Sequence, residues 1–91
     1  MKNFMEGVLV AVVGQDNDYN LVFDTDTNTI GFKNSIFDKL SEKIFKYSIF
    51  INNVQIPSYN ISIDWEKKIM KIVSPVLQNG DLVEIYFSYF V

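Results

Sequence analysis

The residues in this chain that could do chemistry are acids, and they cluster in turns. Asp24-Thr25-Asp26-Thr27-Asn28 has the opening of a calcium-binding loop, with oxygen ligands at alternate positions. That loop needs a glycine at its sixth position and a glutamate at its twelfth. Here those positions hold Thr29 and Ser35, so an acidic β turn is the better reading. Asp16 and Asp18 could join it as a cation site only if the two loops met in space. Asp24 and Asp26 could also be taken as a paired-carboxylate hydrolase site. They lie in a polar stretch with no apolar surroundings to raise a carboxyl pKa, which points to solvated turn residues. Asn79-Gly80-Asp81 lacks the glycine spacing and the Lys-Ser/Thr of a phosphate loop. It reads as a tight turn, with Gly80 supplying a left-handed backbone and Asp81 accepting a turn hydrogen bond.

The absences narrow the chemistry further. The sequence has no His and no Cys, which removes the commonest general base, the commonest metal ligand, thiol nucleophiles and disulfides. Its serines therefore have no base of that kind to activate them. All eight positive charges are Lys, and the net charge is −3. Without Arg forks or a basic surplus, nucleic-acid binding is not expected. The reading is of a chain that is not an enzyme and holds no metal or cofactor.

The elements that would position any working surface are strands. Ninety-one residues suit one domain, spanning residues 1–91. Such a domain buries about two-thirds of its unfolded surface. Val8-Leu9-Val10-Ala11-Val12-Val13 is a β-branched run with two apolar faces, as expected of a strand covered on both sides. Short strands are predicted at 20–24 and 29–33, between turns at 15–18 and 25–28. Phe37, Leu40, Ile44 and Tyr47 recur at spacings of three and four, which predicts one short amphipathic helix near 36–46, with Asp38 in its first turn and Lys46 in its last. Tyr47 to Asn52 then alternates, and Asn52-Asn53 fits a two-residue hairpin turn. Tyr59, Ile61 and Ile63 are expected on one inward face, and Asp64 to Lys67 form the next turn. A strand follows from Lys68 to Val73, and the last runs from Leu82 to the end of the chain. Val83, Ile85 and Phe87 should line its core face, with Leu82, Glu84, Tyr86 and Phe90 on the other.

Eight Phe, five Tyr and one Trp either fill a thick two-layer core or leave some aromatics for a partner. The candidate partner-binding residues are Val8, Val10 and Val12, whose strand also offers edge groups for sheet augmentation, and the outward aromatics Tyr86 and Phe90. Trp65, at a turn apex, is either a flap over the core edge or an anchor in a partner pocket. The start of the chain lacks the apolar core of a secretory leader, and Val8 to Val13 falls far short of the roughly 20 residues of a membrane span. A soluble protein made in a cytoplasm is expected. The richness in Ile, Asn, Lys, Phe and Tyr suggests a low-GC bacterium or its phage.

The stretch 49–91 resembles a β module of tailed-phage and prophage virion proteins. Phe50-Ile51-Asn52-Asn53 matches its first strand and turn, with Asn53 in place of the usual glycine. Tyr59 to Ile63 matches its second element, Ile69 to Val73 the third, and Gly80-Asp81-Leu82-Val83-Glu84-Ile85-Tyr86-Phe87 the closing strand. Residues 1–48 carry no counterpart. The resemblance implies a mainly β fold, an antiparallel β-sandwich of immunoglobulin-like or related type, to which the helix would be an addition. It also implies a structural accessory of a virion, first a decoration protein on the major capsid protein and second a tail, neck or fibre-attachment protein. A homo-oligomer is compatible with either. A surface carbohydrate-binding module, stacking sugars on Trp65 and exposed tyrosines, is the reading from another class.

Overall fold

Alternating apolar and polar residues become strands wherever a neighbour can take up their backbone groups. The computed structural model describes residues 4–17, 21–32 and 44–90. Eight strands lie among them: β1 (Phe4–Val12), β2 (Leu21–Asp24), β3 (Thr29–Phe32), β4 (Ile44–Ile51), β5 (Val54–Gln55), β6 (Ile61–Asp64), β7 (Ile69–Ile72) and β8 (Leu82–Phe90). They form two four-stranded sheets, ordered β1-β8-β4-β5 and β2-β3-β7-β6, with antiparallel neighbours throughout.

The hairpins are set by turn chemistry. Asn52 and Asn53 both take positive φ, 51° and 67°, as a two-residue hairpin of the primed type requires. The β2–β3 and β6–β7 hairpins use one design twice. An aspartate ends the first strand and its Oδ1 accepts turn amides: Asp24 from Asp26 (2.9 Å) and Thr27 (3.2 Å), Asp64 from Lys67 (3.0 Å). The fourth residue after each aspartate, Asn28 or Lys68, then takes positive φ and re-enters the next strand.

One core joins the two sheets. Ala11, Val13, Ile49, Ile51, Val83 and Ile85 come from the first sheet and its margin. Leu21, Ile30, Phe32, Met70 and Ile72 come from the second, and Ile56 and Leu77 close the ends from loops. Val83 and Ile85 are therefore core, as their register predicts, while Phe87 is half-buried over Gly7. A Cβ on Gly7 would come within 2.6 Å of the Phe87 ring, so the glycine makes room for that ring.

Three expectations need correction. The last three residues of the predicted helix, 44–46, belong to β4, and the rest of it lies outside the described residues. Ile44 pairs with Tyr89 and Lys46 with Ser88, so β8 provides the partner that draws this segment into the sheet. Tyr59 does not point inward. It sits in a 3-10 turn, Ser58–Asn60, and is 83% exposed, while Ile61 and Ile63 do face the core. The run Val8–Val13 is not covered on both faces: Ala11 and Val13 are buried, while Val8 and Val10 are exposed. The two antiparallel sheets are as expected, while the immunoglobulin-like arrangement is not confirmed: among the described residues β1 neighbours β8, and β2 lies in the other sheet.

Candidate interaction surface

Residues opposite one another in an antiparallel pair project to the same side. Along β1-β8-β4 this places the even-numbered residues together on the side away from the core. Val12 is opposite Leu82; Val10, Glu84, Phe50 and Gln55 form the next row; Val8, Tyr86 and Ser48 form another; Ser88 and Lys46 continue the series. Val8, Val10 and Tyr86 are each just over 40% exposed, which makes this outward face apolar at its centre. The Phe50 and Tyr86 rings meet edge to face, with centroids 5.5 Å apart at 79°. The Tyr86 hydroxyl donates to Glu84 Oε2 at 2.9 Å. That hydrogen bond, reinforced by the Glu84 charge and by slight desolvation, raises the Tyr86 pKa above the ordinary tyrosine value of 10.0.

The outward face of the second sheet is different. Its rows are Val22, Gly31, Ile69 and Asp64, then Asp24, Thr29, Lys71 and Ser62. An exposed Val22 and a half-buried Ile69 lie there among charges and hydroxyls, as on a sheet with one solvated side. The contrast singles out the β1-β8-β4 face.

Of the expected partner residues, Val8, Val10, Val12 and Tyr86 come together on this face. Phe90 ends β8 opposite Phe4, and its side chain lies outside the part described. Trp65 belongs elsewhere. It lines a narrow apolar cleft with Leu9, Phe32, Tyr47, Ile63 and Phe87 and is 41% exposed, a position that fits either of its two readings. Phe50 and Leu82 are members of the face that were not among the candidates. The signal for both was present: Phe50 alternates with Ser48 and Asn52, and Leu82 shares the side of Glu84 and Tyr86.

The acidic turns offer less. Asp24 spends an oxygen on its own turn, and among the described residues no group of three or more His, Cys, Asp or Glu could hold a metal ion. Asp16 is exposed, and Asp18 lies outside the described residues. Asn79-Gly80-Asp81 is the expected turn: Gly80 has φ 94°, and Asp81 Oδ2 accepts from the Gln78 amide at 2.9 Å. Asp81 Oδ1 also accepts from Asn52 Nδ2 at 2.9 Å, joining this turn to the β4–β5 hairpin. An open groove of about 520 Å³ runs between that hairpin and the loop after β7, lined by Val54, Ile56, Pro57, Pro75 and Val76 among others. It holds no acid–base pair. No protein-family model, curated protein or solved structure matches this chain.

Proposed function

We propose that this chain is a non-enzymatic structural accessory of a phage virion, built on a β module related to the sandwich domains. It docks through the outward face of β1-β8-β4, and its first-choice partner is the major capsid protein, as for a decoration protein that stabilises the shell. The observation that carries the docking mode is the apolar centre formed by Val8, Val10, Leu82, Phe50 and Tyr86 on one sheet, against an outward face on the other in which Val22 and Ile69 lie among charges and hydroxyls. Aromatic and aliphatic area backed by a rigid sheet gives contact at low entropy cost. The choice of a virion partner is supported by the resemblance of residues 49–91 to virion β modules.

The test is co-sedimentation with capsids and tails of the phage that encodes the chain. Wild type is expected on capsids at a copy number tied to hexamers or pentamers. Tyr86→Ser, with its fold verified by circular dichroism, is expected to lose occupancy. Binding to tails in multiples of three or six would move the protein to the tail. Full occupancy by folded Tyr86→Ser and Val10→Ser variants would overturn the docking face.

A further inference from the structure

An asparagine followed by glycine is the thermolabile pair of a protein chain. The glycine nitrogen can attack the asparagine side chain, because glycine has no Cβ to hinder the approach. Asn79-Gly80 is the single Asn-Gly pair in this sequence, and both residues are exposed. Two features restrain the reacting atoms. The Gly80 amide donates to Val13 O at 2.8 Å, so the attacking nitrogen holds its proton in a hydrogen bond. The Asn79 side chain lies over Gly14, where a Cβ would stand 3.0 Å from both Asn79 Cγ and Oδ1. The turn that carries them is braced on both sides. The Val13 amide donates to Asp81 O at 2.9 Å, and the Asp81 amide to Gln78 O at 3.0 Å. The Asp81 carboxylate accepts from the Gln78 amide and from Asn52 Nδ2, both at 2.9 Å.

We infer that Asn79 is a latent self-modification site, converted by water to aspartate and isoaspartate only when the 78–81 turn lifts off the end of β1. The Gly80 nitrogen bonds to Asn79 Cγ, the Cγ–Nδ2 bond breaks, and ammonia leaves with the proton of the Gly80 amide. This closes a five-membered succinimide. Water then opens the ring. Addition at the side-chain carbonyl gives aspartate, and addition at the main-chain carbonyl gives isoaspartate. One water enters and one ammonia leaves, and nothing is oxidised or reduced. The nucleophile is the deprotonated nitrogen, so attack requires the Gly80 amide to be free of Val13 O. Such release is a local opening of the folded chain. The rate in the folded chain is therefore the unfolded rate multiplied by the open fraction. The same open fraction sets hydrogen exchange at the Gly80 amide. Isoaspartate adds a methylene to the backbone, and either product puts a new carboxylate two residues from Asp81. Both changes oppose reclosure of a turn whose spacing the two Asp81 side-chain bonds fix, so the conversion runs one way.

The test incubates the full chain at mildly alkaline pH, folded and in unfolding guanidinium chloride. Conversion is followed by mass spectrometry in the tryptic fragment 72–91, in which Asn79 is the only asparagine. The unfolded chain is expected to accumulate aspartate and isoaspartate there. The folded chain should convert at least about tenfold more slowly, by a factor within about fivefold of the hydrogen-exchange protection of the Gly80 amide. Asp81→Ala removes two braces of the turn and is expected to speed Gly80 exchange and Asn79 conversion together. Should that variant not fold, wild type in guanidinium chloride below its unfolding transition supplies the same comparison. Conversion as fast in the folded chain as in the unfolded one would overturn the gate. So would faster conversion with Gly80 exchange unchanged. An Asn79 that stays intact in the unfolded chain would overturn the site itself.

Discussion

Single asparagines hold much of the loop structure. Asn28 takes φ 56° and ties the β2–β3 turn to the segment after β7. Its Nδ2 donates to Ile72 O (2.7 Å) and Pro75 O (2.9 Å), and its Oδ1 accepts from Leu77 N (2.6 Å). The segment so held carries Leu77, which is 1% exposed. Asn28→Ala is expected to cost about 1–3 kcal/mol in urea unfolding, because partly buried carbonyls and an amide lose their partners. Asn28→Gly relieves the backbone but not the lost bonds. It should therefore stay well below wild type, and full stability in the glycine variant would show that backbone conformation is all that matters. The partners lie more than forty residues away, so the sequence marks Asn28 as a turn residue and no more. Tyr86 gives a second residue-scale prediction. Its phenol should titrate above the usual tyrosine range in ultraviolet absorbance, and Glu84→Gln should lower that value by removing the charge. Since the folded pKa is raised, any stability linked to this group is present below the ordinary tyrosine pKa and is lost as pH rises through the raised one. A Tyr86 titration unchanged by Glu84→Gln would contradict the assigned cause.

Among elements, those with a local signature were legible and those decided by a distant partner were not. The β8 register followed from alternation after a Gly-Asp turn, and Val83 and Ile85 are core as expected. The Asn52-Asn53 hairpin followed from residue type. Asn53→Gly should keep or raise the melting temperature, while Asn53→Val should cost about 1–2 kcal/mol, because a β-branched residue resists left-handed dihedrals. Equal stability of the two variants would mean that the turn rearranges. The Phe37, Leu40, Ile44, Tyr47 spacing misled for 44–46 because its last member, Tyr47, also begins the alternation of β4, and only pairing with β8 decides between the two periods. For β1, a run apolar on both faces did not disclose that one face would be left largely bare. The candidate surface was therefore half legible: its residues could be named, but their assembly on one sheet depends on β1 lying beside β8, a neighbourhood that local pattern does not encode.

At the scale of the molecule, the decisive property is that two sheets sharing one core have unlike exteriors. The extents of 42 × 25 × 22 Å fit a two-layer body, in which facing sheets lie about 10 Å apart and side chains add the remainder. One exterior carries Val22 and Ile69 among Asp24, Thr29, Lys71, Ser62 and Asp64. The other carries Val8, Val10, Leu82, Phe50 and Tyr86, with Glu84 as the acid among them. Folding requires only the inner faces, so the outer apolar residues add little to the stability of one copy and are available for contacts between molecules. This separates fold from function by parity along a strand. Ile85→Thr, an inner odd position that is 3% exposed, should destabilise the chain by about 2–4 kcal/mol, since it trades buried apolar volume for a hydroxyl in a core with no partner provided for it. Val8→Thr combined with Val10→Thr keeps β-branching at outer even positions. It should melt within a few degrees of wild type under conditions where both are monomeric, yet bind less of an apolar dye such as anilinonaphthalene sulfonate. If instead the outer pair destabilises the monomer as much as Ile85→Thr does, that face is packed against part of the same chain, and docking cannot use it.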